Sequence, residues 1–264
     1  MTGEPFVVIG AVASGYGPAV KAAVIADQLA ARGVRVARDL GCAGSAERFL
    51  AARPALSRRA SITGSALVVS VMDVELCRRA QRAGRPYVWV DSLWWLRAAP
   101  HPALRDARCV IAQRWPGIET CPAQEERAAT LVGPVLPPAA DPGGHALGLV
   151  LQVGGWPDDP TQVREAVTRL GGEVGMEEAE RLLAGASLAI TRPGLTATLQ
   201  CCRAKTPLVF LPPRMTGRAQ PLVRALFRER GMDATTATGA RHAFFTSLGG
   251  DGGREVAEIL AGML

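Results

Sequence analysis

The sequence predicts an α/β protein with two Rossmann-like domains, each built around a parallel sheet. The first observation is that short apolar runs, typical of buried strands, alternate with helical patterns along the chain, as they do in βαβ units. The second is that the segment "GPVLPPAADPGGHALG", residues 133–148, interrupts this alternation with a high density of Pro and Gly. We therefore expect an N-terminal domain at 1–134, a linker at 135–146 and a C-terminal domain at 147–264, with the two domains facing each other across a cleft.

Each element of the N-terminal domain has a local justification. "FVVIGAVA" is apolar enough for a buried first strand. The helix that follows, around "AVKAAVIADQLAARG", has Pro18 near its start and Gly33 at its end, which are positions that these two residues favour. Further strands are predicted at "VRVARD", "SALVVSVMD", "RPYVWVDS" and "ARCVIAQ", with a helix at "VELCRRAQRAG".

The C-terminal domain repeats the alternation of strands and helices. Strands are predicted at "LGLVLQVGG", "SLAIT" and "TPLVFLPP". Helices are predicted at about 161–170, 176–184, 195–203, 219–231 and 253–264. No internal repeat at the spacing of solenoid proteins is visible, so two separate α/β layers explain the pattern.

The composition argues against several classes of function. The net charge is +6, but Lys occurs only at positions 21 and 205, and the arginines are scattered among Ala, Gly and Val. Because no basic run is interleaved with aromatic residues, we expect small acidic ligands and no nucleic acid. No apolar run approaches the roughly 20 residues that span a bilayer, so we expect no membrane span. The six cysteines lack CxxC pairs and metal-type spacing with the three histidines, which predicts buried free thiols in a cytoplasmic protein, with no metal site.

Ligands of open parallel sheets bind at the carboxyl ends of the strands, and the loop after the first strand lies at such an end. This loop consists of Ser14, Gly15, Tyr16 and Gly17. Its N–H groups and the dipole of the following helix favour an anion, although a turn required only for packing is the plain alternative. The glycines do not form the GxGxxG fingerprint of dinucleotide-binding proteins, while Asp39, at the end of the second strand, does resemble their ribose-binding acid.

A second candidate site follows the strand in "SLAITRPGLTATLQCCRAKTPLVFLPP", residues 187–213. After the Pro-Gly turn a helix begins near Leu195. The N–H groups of Gly194, Leu195 and Thr196, with the hydroxyls of Thr196 and Thr198, can receive a diphosphate. Gln200 follows Thr196 at i, i+4 spacing and so lies on the same side of the helix, where its amide can bond ribose hydroxyls.

These segments together resemble the GT-B glycosyltransferases over nearly the whole chain. "GYGPAVKAAVIADQLAARGVRV" resembles the loop and helix of their N-terminal domain, and "LQVGG" resembles the first strand of their C-terminal domain. "ASLAITRPGLTATLQCCRAKTPLVFLPP" with "RAQPLVRALFRERG" resembles their donor-binding segment, most closely that of the peptidoglycan N-acetylglucosaminyltransferases. The compact length, "YVWVDSLWWL" and "QRWPG" resemble the cytosylglucuronate synthases of nucleoside-antibiotic pathways.

The resemblance implies inverting transfer of a sugar from a UDP-sugar to a small acceptor without a metal or other cofactor. The narrower resemblance implies UDP-glucuronate as the donor and cytosine as the acceptor. By resemblance and strand-end position, the donor-binding residues are Gly155, Arg192, Gly194, Leu195, Thr196, Gln200, Arg214 and Gln220. The acceptor-binding residues are Ser14, Gly15, Tyr16, Gly17 and Trp94.

The chain also departs from the family pattern at three places. Pro18 stands where many relatives have His, which removes a candidate base. Gln200 stands where the family usually has a ribose-binding Glu. Between Gly155 and Ser187 the chain is short, so the C-terminal domain is expected to be reduced, with little room for the second and third strands that help recognise uracil in the family.

Inverting transfer requires a base for the nucleophile and positive charge for the leaving UDP. Asp91, at the end of an apolar strand, is the first candidate base and Asp73 the second, with an N-cap of the next helix as the alternative role for Asp91. Arg192 and Arg214 can stabilise the leaving group, or one of them can bind a donor carboxylate bidentately.

The sequence is also compatible with other roles for the tryptophans and with other functions of the protein. Trp94, with Trp95, belongs either to the core or to the cleft wall, and Trp94 or Tyr16 can stack on a flat acceptor. A non-catalytic relative that binds a nucleotide sugar or a partner protein would explain the three departures. A nucleotide-sugar 2-epimerase on the same fold is a further alternative.

Overall fold

The structure is a computed structural model. It describes residues 5–13, 16–41, 44–94, 101–115, 129–141, 147–152, 176–211 and 219–264. The chain divides into two compact units, the first formed by residues 1–136 and 249–264 and the second by residues 137–248. The last helix therefore lies with the first unit, whereas the sequence pattern places it in the C-terminal domain.

In the part of the first unit that the structure describes, seven strands form one parallel sheet. Its strands are β1 (Phe6–Ala11), β2 (Arg35–Asp39), β3 (Arg59–Ala60), β4 (Leu67–Val71), β5 (Tyr87–Asp91), β6 (Cys109–Gln113) and β7 (Thr130–Val132). The spatial order is β3-β2-β1-β4-β5-β6-β7, and Val8 in β1 lies opposite Ala37 on one side and Val68 on the other. The strand order reverses between β1 and β4, where ligands of this architecture bind beyond the carboxyl ends.

The central strands of this sheet are mostly apolar because helices can cover both faces of a parallel sheet. Every residue of β4 and β5 is buried. The helices of the first unit are α1 (Tyr16–Ala30), α2 (Gly44–Ala51), α3 (Val74–Arg82) and, from the end of the chain, α8 (Gly252–Ala261). Pro18 is the third residue of α1, which agrees with the first-turn position that the sequence predicts.

Close backbone contacts hold α8 in the first unit. A Cβ added to Gly253 would lie 2.6 Å from Cγ1 of Val24 in α1, and one added to Gly252 would lie 2.0 Å from the carbonyl oxygen of Gly133. The N–H of Gly133 also donates to the Glu255 carboxylate at 3.1 Å. Glycine is therefore needed at both positions for α8 to approach α1 and the end of β7.

The second unit contains a three-stranded parallel sheet in the order β10-β9-β8 among the described residues. The strands are β8 (Leu147–Gln152), β9 (Ala186–Thr191) and β10 (Leu208–Phe210). The helices are α4 (Met176–Gly185), α5 (Leu195–Ala204), α6 (Ala219–Glu229) and α7 (Thr238–Ser247). Thr191, the last residue of β9, pairs with Gln152 and Phe210, so all three strands end at the same edge.

Most of the predicted elements are present within one to three residues of their expected ends. The helix predicted at 161–170 lies outside the described residues. The sequence pattern did not predict α2, α7, β3 or β7. In the described part of the chain, no helix combines the length and the apolar character that a membrane span requires.

Candidate functional site

The β9–α5 turn of the second unit has the geometry of an anion-binding loop. Gly194 is the N-cap of α5, with φ −78° and ψ 135°, and contributes no capping side chain. An α-helix gives the N–H groups of its first turn no intrahelical acceptor, and its dipole makes that end positive. The N–H of Gly194 itself donates to the Arg192 carbonyl at 2.7 Å, so the donors of this turn begin one residue later than the sequence suggests.

The packing of the described residues does not require glycine at position 194. Its φ is negative, which any residue adopts, and no described atom lies within 4 Å of a Cβ added there. A glycine with open space at a helix N-terminus is typical of a position where a ligand approaches the backbone closely.

The side chains around this turn are buried and polar. Thr191 and Thr198 are fully buried, Thr196 is 8% exposed and Arg192 is 9% exposed. The Thr191 hydroxyl donates to the Arg192 carbonyl at 3.1 Å. The Thr198 hydroxyl has no hydrogen-bond partner among the described residues. Because residues two apart on a helix point to different sides, Thr196 shares the side of Gln200 and Thr198 does not.

Gln200 belongs to a buried polar cluster that joins α4 and α5. Its Nε2 donates to Oε1 of Glu180, and Nη2 of Arg203 donates to the other carboxylate oxygen of Glu180. Nη1 of Arg203 donates to the Pro137 carbonyl at 2.6 Å. Burial raises the pKa of the Glu180 carboxyl, while Arg203 and Gln200 act in the opposite direction. Neither Glu180 nor Arg203 is a candidate from sequence alone.

Three further residues, Gly155, Arg214 and Gln220, are predicted to bind the donor. Gln220 is the second residue of α6, inside its first turn, and is half-buried. Gly155 and Arg214 lie outside the described residues.

Of the predicted acceptor-binding loop after β1, Ser14 and Gly15 also lie outside the described residues. Tyr16 and Gly17 begin α1, and Gly17 is half-buried.

Asp91 ends β5 as predicted and is 1% exposed. Its Oδ2 accepts the indole N–H of Trp89 at 3.1 Å, and its Oδ1 accepts the backbone N–H of Leu93 at 2.8 Å. Asp73 is the N-cap of α3, and its Oδ1 accepts the N–H groups of Glu75 and Leu76 at 3.0 and 3.1 Å. Asp73 thus caps a helix, whereas Asp91 accepts two N–H groups next to residues 95–100, which lie outside the described residues. The role of either carboxylate as base, and of Asp91 as a helix cap, stays a prediction.

Trp94 is packed inside the first unit. Its ring is 1% exposed, and its indole N–H donates to the Gln113 carbonyl at 2.7 Å. Of the two positions that the sequence allows for Trp94, the core and the cleft wall, this one is the core. Stacking of Trp94 on the acceptor stays a prediction. Trp95 lies outside the described residues.

The first unit also contains buried charged residues, among which the sequence singles out Asp39 but not Lys21. Lys21 in α1 is 1% exposed, and burial lowers the pKa of its ammonium group to about 8. Asp39 at the end of β2 forms an ion pair with Arg79 and accepts the Gly41 N–H at 3.0 Å. An open cavity of about 450 Å³ lies beside this pair, but the pair and the Gly41 contact already engage the Asp39 carboxylate.

Comparison with solved structures finds the same architecture in glycosyltransferases. MurG of Acinetobacter baumannii is 15% identical, with a TM-score of 0.55 over 96% of this chain and 93% of that one. The glycosyltransferase of kitacinnamycin is 12% identical, with a TM-score of 0.61 over 98% of each chain. UGT71G1 of Medicago truncatula, solved with UDP-glucose, is 12% identical, with a TM-score of 0.58 over 98% of each chain. The chain has the GT-B fold.

At these identities the likeness establishes the fold and not the reaction. The sequence matches no protein-family model and no curated protein sequence. Within this GT-B chain the described donor-site candidates, from Arg192 to Gln220, belong to the second unit. The described acceptor-site and base candidates belong to the first.

Proposed function

We propose that this protein is an inverting, metal-independent glycosyltransferase that transfers a sugar from a UDP-sugar to a small acceptor. The observation that carries the proposal is the β9–α5 turn, where open space at Gly194 adjoins the uncapped N-terminus of a ten-residue helix. Such an end binds phosphate through backbone N–H groups and the helix dipole. The GT-B fold supports a nucleotide-sugar ligand, since several proteins of this fold are solved with UDP or UDP-glucose.

In this proposal the second unit binds the donor. The first-turn N–H groups of α5 and the Thr196 hydroxyl receive the diphosphate. Arg192, buried beside the turn, supplies positive charge as the leaving UDP develops negative charge. Arg214, Gly155 and Gln220 complete the donor site, with one of the two arginines free to bind the sugar carboxylate of UDP-glucuronate bidentately.

The first unit then binds the acceptor, for which cytosine is our candidate, through the loop of Ser14, Gly15, Tyr16 and Gly17. The nucleophilic nitrogen attacks the anomeric carbon as the bond from that carbon to the diphosphate oxygen breaks. The acceptor proton passes to the base, and UDP leaves. Asp91 is our first candidate for the base, because its carboxylate ends β5 at the edge of the sheet where ligands bind.

A second candidate function is favoured by the contacts of the carboxylates. Asp91 is buried and both of its oxygens accept N–H groups of the protein, and Asp73 caps α3. Since Pro18 also replaces the His of many relatives, a non-catalytic GT-B protein that binds a nucleotide sugar is consistent with the same site.

Mass spectrometry of the protein incubated with UDP-glucuronate, with and without cytosine, tests the proposal. We expect a cytosine-dependent glucuronide together with UDP. A changed sugar without acceptor would indicate an epimerase instead. Binding of UDP-glucuronate without any product from a panel of pyrimidine acceptors would favour the non-catalytic function. Absence of UDP binding would refute the donor site itself.

A further inference from the structure

One carboxylate, that of Glu180 in α4, determines how the Gln200 amide in α5 is oriented. A side-chain amide can present either its oxygen or its NH₂ group in a given direction. Oε1 of Glu180 accepts Nε2 of Gln200, and this assignment follows from the chemistry, because a carboxylate accepts hydrogen bonds and repels an amide oxygen. The Gln200 oxygen therefore points away from Glu180.

Arg203 completes the arrangement and keeps it rigid. Its Nη2 donates to Oε2 of Glu180, so the two carboxylate oxygens have two different donors from the same helix. Glu180 and Gln200 are each 4% exposed, which leaves little water to compete for these contacts. The negative charge of Glu180 is balanced by Arg203 within the cluster, and residue 200 itself carries none.

The free oxygen lies on the side of the proposed donor site. Gln200 follows Thr196 by one helical turn, so both side chains project from the same side of α5. Thr196 belongs to the turn that we assign to the diphosphate. No described group donates to Oε1 of Gln200, and this acceptor is available to a hydroxyl one helical turn from the phosphates.

We infer that Glu180 is a positioning residue that makes Gln200 a hydrogen-bond acceptor for a ribose hydroxyl of the donor nucleotide, an inference that rests on the proposed function. The amide oxygen then replaces one oxygen of the family's ribose-binding carboxylate. It does so without placing a second negative charge near the diphosphate.

The test compares UDP with its 2′-deoxy and 3′-deoxy analogues by isothermal titration calorimetry. For the wild-type protein, we expect UDP to bind about fivefold to tenfold more tightly than the weaker analogue, since one hydrogen bond is lost. In Glu180→Gln, the oxygen of residue 180 stays with Arg203 and its NH₂ group faces residue 200. The Gln200 amide then has to invert, and the preference for UDP is expected to fall to about twofold.

The exchange variant E180Q/Q200E supplies the matched rescue. Here the NH₂ group of residue 180 donates to the new carboxylate at position 200, whose second oxygen faces the ribose, so the preference for UDP is expected to return to at least fivefold. A merely structural role for Glu180 would weaken UDP and both analogues equally and leave the preference unchanged.

The outcomes separate this inference from the proposed function. An unchanged UDP preference in Glu180→Gln, or no recovery in the exchange variant, would overturn the inference while UDP binding by the wild-type protein still supported the function. If the wild-type protein bound none of the three nucleotides, both would fall.

Discussion

Asp91→Asn tests how the buried carboxylate at the end of β5 is held. In the wild-type protein, Oδ1 accepts the Leu93 N–H at 2.8 Å and Oδ2 accepts the Trp89 indole N–H at 3.1 Å. Asn offers a single acceptor oxygen, so its NH₂ group has to face one of these two donors. In the variant, the NH₂ group at position 91 therefore faces either the Leu93 N–H or the Trp89 indole N–H, and that buried donor loses its acceptor.

The expected cost follows from burial. The side chain is 1% exposed, so water does not replace the lost acceptor, and an unsatisfied buried donor costs about 1–3 kcal/mol. Trp89→Phe removes the indole donor. In that background the Asn oxygen keeps the Leu93 contact and its NH₂ group no longer opposes the indole N–H, so we expect Asp91→Asn to cost less than it does with Trp89 in place.

Urea unfolding of the wild-type protein, the two single variants and the double variant measures this coupling. An equal cost of Asp91→Asn in both backgrounds would refute the assigned hydrogen bonds. The same variants separate structure from catalysis. If Asp91 is the base, Asp91→Asn in the Trp89→Phe background lowers turnover by about 10²–10⁴ while the protein stays folded, and full turnover would assign the carboxylate to structure alone.

Three further substitutions test the packing and the buried charges. Gly253→Ala is expected to destabilise the protein by about 1–3 kcal/mol in urea unfolding, because its Cβ would lie 2.6 Å from Val24 Cγ1, and a second change, Val24→Ala, should recover part of that loss. Burial lowers the pKa of Lys21 from 10.5 to about 8, so the unfolded chain binds more protons between these values and stability rises with pH across that window. Lys21→Met should abolish this rise, which is on the order of 3 kcal/mol, in unfolding measured from about pH 7 to 11, and an equal rise in both proteins would contradict it. Arg241→Met should cost about 3 kcal/mol or more in thermal unfolding, since the guanidinium donates to the carbonyls of residues 232, 234 and 235, whereas Arg254→Met at an exposed position should cost under about 0.5 kcal/mol.

The buried strands could be predicted from sequence because their pattern is local. Strands β4 and β5 are buried on both faces, and their sequences are therefore mostly apolar runs, interrupted only by Ser70 in β4 and ended by Asp91 in β5. Helix α7 was not predicted, for a physical reason. Its inward side consists of Arg241, Phe244 and the following Leu248, so a buried guanidinium stands where a helical pattern requires an apolar residue.

The placement of α8 could not be predicted, because it depends on contacts between distant parts of the chain. Its glycines meet Val24 and Gly133, more than 100 residues earlier in the chain. The sequence shows an amphipathic helix after a second α/β layer, and assigning it to that layer is the simplest interpretation. Only close packing between glycine and a distant backbone shows that it belongs to the first unit.

The sequence could predict only those parts of the candidate site that lie close together along the chain, at the start of α5. The β9–α5 turn and the i, i+4 spacing of Thr196 and Gln200 are properties of neighbouring residues. Glu180 lies 20 residues before Gln200 on another helix, and nothing in its local sequence distinguishes it from the two glutamates at 177 and 178. What distinguishes Glu180 is its burial in the folded protein, where it contacts Gln200 and Arg203.

Calorimetric titration of UDP into the wild-type protein, Gly194→Ala and Gly239→Ala tests the central claim most directly. A Cβ at Gly194 or at Gly239 meets no atom of the described residues within 4 Å, so both variants should fold with stability within about 1 kcal/mol of the wild-type protein. If the β9–α5 turn binds the diphosphate, the wild-type protein and Gly239→Ala bind UDP alike and Gly194→Ala binds it at least about tenfold more weakly, a difference of about 1.4 kcal/mol. Absence of UDP binding by the wild-type protein, or equal affinity in all three, would contradict the account.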